Sequence, residues 1–186
     1  MGRIVVSEFV TLDGVIEDPG GSEKSPYGGW AFRFDRGADG DAFKAEELKS
    51  ADAMLLGRRT YEGFAAAWPA MDSDPFGQRM NAMPKYVVSS TLTEANWNNS
   101  SILRGDPVQE VARLKQDTGE ILVAGSGRLV AALHEAGLVD EYRLMVFPIV
   151  IGGGQCLFDG VGMPISLRLA EARSAADTLL LRYVTT

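Results

Sequence analysis

Apolar residues fall mostly into short unbroken runs, separated by longer stretches in which they recur every three or four positions. "RIVVSEFV" (3–10) is rich in β-branched and aromatic types and reads as a buried strand. "ADAMLLG" (51–57), "KYVVSS" (85–90), "SILRG" (101–105) and "EILVAG" (120–125) read as further short strands, and "DEYRLMVFPIVI" (140–151) as a long one. Between them lie helical patterns. Residues 39–50 put Phe43 and Leu48 inward, and a helix capped by Thr60 runs to Pro69. Residues 106–116 have Asp106 as cap, Pro107 at the first position and Val108, Val111 and Leu114 on one face. Residues 126–136 align Leu129, Leu133 and Ala136, with Gly137 as terminator. "SLRLAEARSA" and "TLLLRYVT" form a closing antiparallel pair around Ala176 and Asp177.

Strands that alternate with helices predict an α/β fold of three layers. The central sheet is mostly parallel, with antiparallel C-terminal strands. One domain spans 1–186. The segment "TLDGVIEDPGGSEKSPYGGW" interrupts this order with five glycines and two prolines and reads as a long loop. Loops of that length are often functional.

Composition narrows the chemistry. The net charge of −7 argues against a nucleic-acid partner, which needs a basic footprint. A single cysteine, Cys156, and a single histidine, His134, exclude an internal disulfide and a Cys/His zinc site, so no metal is expected. His134 is expected on the exposed side of its helix. No apolar run approaches the ~20 residues that cross a bilayer, and no leader is evident, so no membrane partner and a cytoplasmic location are expected.

In a parallel sheet, ligands bind outside the carboxyl ends of the strands. Three of these ends carry notable residues: "GRRT" (Gly57, Arg58, Arg59, Thr60), Ser89 and Ser90, and "GSGRL" (Gly125, Ser126, Gly127, Arg128, Leu129). The last opens a helix, whose first turn offers unpaired N–H groups and a positive dipole end. Small residues there let an anion approach, and paired arginines suit a phosphate. Together they predict a phosphate or pyrophosphate site. Val130 breaks the G-x-G-x-x-G spacing, so an ordinary Rossmann site is not expected.

"VTLDGVIE", "ADAMLLGRRTYEGF", "KYVVSSTL" and "ILVAGSGRLVAALHEAGLVDEYRLMVFPIVIGGGQCLF" follow one another along nearly the whole chain. In this order they resemble the dihydrofolate reductase-like superfamily, and within it the RibD C-terminal domain family of riboflavin biosynthesis. The resemblance implies NADPH as cofactor. It implies that Gly57, Arg58, Arg59, Thr60, Ser89 and Ser90 hold the adenosine side with its 2′-phosphate, and that 125–129 hold the pyrophosphate. It implies that Val10, Leu12, Asp13, Gly14 and Ile16 meet the nicotinamide. The zinc deaminase domain of the bifunctional relatives is missing, so no deaminase activity is expected. A homodimer is common in the family.

Hydride transfer depends mainly on positioning, but reduction of a C=N or C=O also needs a proton. Dihydrofolate reductases keep a carboxylate early in the helix before the Gly-Arg turn. Sixteen residues before Gly57 stands Asp41, the candidate acid. Asp13 is the second candidate. Each also has a plainer role, Asp41 as a helix-start acid and Asp13 as a turn former. Trp30 and Phe32, with Phe34, are candidate walls for a flat substrate, and alternating aromatics of this kind also pack as core or as a dimer contact. The expected function is an NADPH-dependent reductase of a small heterocycle, of the pteridine or 5-amino-6-ribosylaminopyrimidine type. The alternative is a non-catalytic NADP(H)-binding or regulatory module.

Overall fold

The computed structural model describes residues 2–186. Strand β1 (Arg3–Thr11) leads through a long loop, with a short 3₁₀ turn at Trp30–Arg33, into helix α1 (Gly37–Ser50). Then come β2 (Ala53–Gly57), α2 (Arg58–Ala67), α3 (Pro75–Ala82), β3 (Lys85–Val88) and β4 (Ser100–Leu103). They are followed by α4 (Pro107–Asp117), β5 (Glu120–Ala124), α5 (Gly127–Glu135) and β6 (Glu141–Phe147). The hairpin of β7 (Leu167–Ala175) and β8 (Thr178–Thr185) closes the chain.

Among the described residues, eight strands form one sheet in the order β4-β3-β2-β5-β1-β6-β8-β7. The first six are mutually parallel, β8 is antiparallel to β6, and β7 is antiparallel to β8. Side chains of a strand alternate between its two faces, and β1 shows how both are used. Ile4, Val6 and Val10 pack on one face with Val111 of α4 and Leu129, Val130 and Leu133 of α5. Val5 joins Leu48, Tyr61 and Met80, from α1, α2 and α3, on the other. Burial on both faces explains why these strands read as continuous apolar runs. No helix among the described residues is long and apolar enough to cross a membrane.

The structure departs from the hydrophobic pattern in four places. Helix α2 begins at Arg58 with Gly57 as its cap, so Thr60 lies inside the first turn. Helix α3 occupies a stretch to which the pattern assigns no element. Its start is nonetheless a strong signal: Asp74 accepts the amides of Phe76 and Gly77, and Pro75 takes the first position. The long sixth strand ends at Phe147, because Pro148 has no N–H and the Ile149 amide turns back to the Phe147 carbonyl at 2.8 Å. Finally, His134 is buried, its Nδ1 2.5 Å from the Tyr142 hydroxyl, while Ala136 is exposed. The inward stripe of α5 thus includes His134 as a core residue, and its burial lowers the imidazole pKa.

The long loop after β1 has an internal anchor. Asp18 is buried, and its two carboxylate oxygens accept the amides of Glu23 and Ser25, each at 3.0 Å. Trp30 seats the far end, burying its ring edge-on to Phe147 and donating its indole N–H to the Glu17 carbonyl at 2.9 Å.

Candidate functional site

Strands β3, β2, β5 and β1 are consecutive neighbours and parallel, so their carboxyl ends share one edge. The turn after β5 is built tightly. Gly125 and Ser126 both take positive φ, at 57° and 65°, which the glycine tolerates and the serine adopts at a cost of ~1–2 kcal/mol. The serine has a compensating bond. Its Oγ accepts the Gly57 amide at 2.8 Å and donates to Thr60 Oγ1 at 3.1 Å. One hydroxyl thereby ties the start of α5 to the start of α2. Within α5 the amides of Leu129 and Val130 turn to the Ser126 carbonyl, which leaves those of Gly127 and Arg128 at the helix mouth for another acceptor.

The glycines of this turn also have packing reasons. A Cβ on Gly125 would meet Thr60 at 3.0 Å, and one on Gly127 would meet Gln155 Nε2 at 2.5 Å and Ile16 Cδ1 at 2.9 Å. The arginines divide. Arg58 lines a shallow cavity of about 370 Å³ with Ser89, Ser90, Thr91, Gly105 and Pro107. Arg59 points elsewhere, its side chain 73% exposed and 3.7 Å from Glu23 of the long loop. Ser89 is buried, and its Oγ accepts the amides of Thr91 and Leu92, so its hydroxyl shapes the cavity wall. Ser90 and Arg128 are exposed. At the end of β1, Val10 and Ile16 share one apolar cluster with Leu129 of α5. Leu12 is exposed, and Gly14 turns the chain with φ 88°.

The sequence matches the RibD C-terminal domain family over residues 3–181. The chain belongs to that family. It is 30% identical to the Bacillus subtilis (strain 168) protein YyaP over 178 residues, 92% of this chain and 88% of YyaP. Among solved structures it is similar to a protein from Shewanella sp. PV-4 whose name assigns it to riboflavin biosynthesis, with a TM-score of 0.79, 22% identity and 99% of each chain covered. It is also similar to Enterococcus faecalis dihydrofolate reductase complexed with NADP(H), with a TM-score of 0.60, 16% identity, all of this chain and 97% of that one. At these identities the structural likenesses show the fold, which is dihydrofolate reductase-like.

Within this RibD C-terminal domain, the two aspartates singled out from the sequence sit away from the core of the edge. Asp41 lies on the outer face of α1, its side chain 63% exposed and paired with Arg36 at 2.6 Å. The inward stripe of that helix carries Gly40, Phe43, Glu47 and Leu48 instead. Asp13 clamps loops together. It accepts the Thr11 hydroxyl at 2.5 Å and the amides of Gly152 and Ile151 at 2.7 and 3.1 Å. Chiefly the Thr11 bond, then the Gly152 amide, holds its carboxyl below the ordinary range, opposite to what a proton donor needs. Trp30 is wholly buried and so belongs to the core, whereas Phe32 is exposed.

Two other carboxyls, Glu8 and Glu47, are buried beside the edge. Glu47 accepts the Ser7 hydroxyl at 2.8 Å and pairs with Lys44 at 2.6 Å, while Lys44 also donates to Ser7. Glu8 is 5% exposed, and its Oε1 has no hydrogen-bond partner among the described residues. Burial pushes its pKa up to about 8, against the pull of Lys44 and the Gly125 amide. The signals were in the sequence. Glu8 occupies the same strand face as Ile4, Val6 and Val10, and Glu47 follows Phe43 by one helical turn.

Proposed function

We propose that the protein is an NADPH-dependent reductase that transfers a hydride to a small heterocycle of the pteridine or 5-amino-6-ribosylaminopyrimidine type. The observation that carries this is the Ser126 bridge. It holds the open helix mouth of α5 beside the Gly57–Arg58 turn, so that amide donors and a guanidinium share one sheet edge. That donor set fits a dinucleotide: the Gly127 and Arg128 amides suit the pyrophosphate, and Arg58 at the serine-lined cavity suits the 2′-phosphate. Val10 and Ile16 give the nicotinamide end an apolar floor. NADPH would supply the hydride, while the protein positions it and excludes water. The outward placement of Asp41 and the lowered pKa of Asp13 leave the proton to another group.

The same outward placement of Asp41 favours, as a second reading, an NADP(H)-binding module without turnover. Equilibrium titration with NADPH and NADH, followed by a turnover assay on a ribosylaminopyrimidine, separates the two. Preference for NADPH with oxidation of the cofactor supports the reductase, preference without oxidation supports the module, and no binding removes both. A homodimer belongs to the same proposal. Leu169 and Leu179 stand 50% and 41% exposed on the last two strands, and sedimentation of the purified chain tests the pairing.

A further inference from the structure

Where β1 passes Ser7 it loses β5 as a neighbour. The paired register ends at Ser7 with Ala124, while β1 continues beside β6 to Thr11. Glu8 is the first residue beyond that split. Its side chain shares the face of Val6 and Val10, and the Gly125 amide on the opened side of the gap acts on its carboxyl. Glu8 therefore sits between the turn proposed for the pyrophosphate and the apolar residues proposed for the nicotinamide. Its Oε1 is buried without a hydrogen bond from any of the described residues. A buried polar atom left unpaired costs ~1–3 kcal/mol, and proteins rarely bear that where no partner arrives.

We propose that the Glu8 carboxyl is the polar contact for the nicotinamide end of the dinucleotide, and that its proton is linked to the redox state of that end. The inference rests on the dinucleotide reading above. The physical reason is charge. The oxidised ring is a cation, and the reduced ring is neutral. A buried carboxylate attracts the first, while a buried carboxylic acid accommodates the second without an unpaired charge. Burial raises the pKa of Glu8 to about 8, so both forms are within reach of a binding experiment. Two charged groups on α1 act on it: Lys44 favours the ionised form and Glu47 opposes it. From β6 its paired neighbour is the uncharged Leu144. The pKa of the Cys156 thiol is raised, by burial first and then by the Asp159 and Asp13 charges.

The test is equilibrium binding of NADPH and of NADP⁺ to the full chain at pH 6.5 and pH 9, in the wild type and in Glu8→Gln. In the wild type, NADPH weakens relative to NADP⁺ as pH rises, and the ratio of the two dissociation constants moves by roughly tenfold. In Glu8→Gln the ratio stays flat. 2′-Phosphoadenosine diphosphate ribose, which lacks the nicotinamide, shows no difference between the two proteins. A flat wild-type ratio, with both nucleotides bound, overturns the inference and leaves the dinucleotide site standing. An equal shift in the wild type and in Glu8→Gln also overturns it. Absence of binding by either nucleotide instead removes the site itself. Should Glu8→Gln not fold, the wild-type ratio compared with the nicotinamide-free fragment decides alone.

Discussion

Ser126 Oγ accepts the backbone amide of Gly57 at 2.8 Å, joining two turns that lie 69 residues apart in sequence. The contact fixes the start of α2 and the start of α5 relative to each other. It also explains why a serine tolerates left-handed backbone there. Ser126→Ala leaves the part-buried Gly57 amide without its acceptor and keeps the backbone strain. A loss of about 1–3 kcal/mol is expected from denaturant midpoints at unchanged slope. Ser126→Gly loses the same bond but relaxes the φ of 65°, so it should lose about 1 kcal/mol less.

The two adjacent arginines separate in position. Arg58 lines the cavity with Ser89 and Ser90, and its pair with Glu62 is exposed. Arg58→Ala should abolish the preference for NADPH over NADH and change stability by less than about 1 kcal/mol. Arg59→Ala should leave the preference in place. Titration of both variants with both nucleotides checks this, and the reverse pattern would move the 2′-phosphate to the long loop.

Gly127 is tightly enclosed by flexible side-chain ends. Gly127→Ala forces Gln155 and Ile16 aside, at an expected cost of about 1–3 kcal/mol. Gln155→Ala in the same chain removes the nearer obstacle. The double variant should therefore lose less than the sum of the two singles, by at least ~0.5 kcal/mol in thermal or denaturant unfolding.

These features differ in how far they could be read from the sequence. The parallel order, the closing hairpin and the Asp106 cap were legible, because alternation, capping chemistry and turn residues are local signals. The convergence of residues 57–60, 89–90 and 125–129 on one edge followed from the rule for parallel sheets. The bridge by Ser126 did not, since a bond across 69 residues leaves no periodic trace. Asp41 was placed by counting along the chain, and the helix phase turned it outward. Phe43 and Leu48 already fixed that phase, and the same phase turns Glu47 inward. Trp30 read as a candidate substrate wall or a packing residue, because its loop lacks a repeat that would decide for burial. Glu8 was masked by its apolar neighbours in "RIVVSEFV".

The opposite end of the sheet predicts an acid dependence. Glu141 is buried among Arg3, Arg143 and Arg182. Burial alone would raise its pKa, but the bonds from Arg143 and Arg182 outweigh it and the net shift is downward. A carboxylate lowered by folding contributes stability above its ordinary pKa of 4.5 and loses it as pH falls through the lowered value. Glu141→Gln should therefore be destabilised at pH 7, and its stability should fall less steeply than the wild type's below about pH 4.5. Parallel profiles for the two proteins would assign the acid sensitivity to other groups.

In the proposed reductase, neighbouring strand ends gather around a dinucleotide gripped by the start of α5. An NADPH titration followed through backbone amide chemical shifts tests this residue by residue. The largest changes should fall at Gly57–Thr60, Ser89–Ser90 and Gly125–Leu129, with a further group at Val10–Ile16. Saturable shifts confined to other surfaces, or none at all, would contradict it.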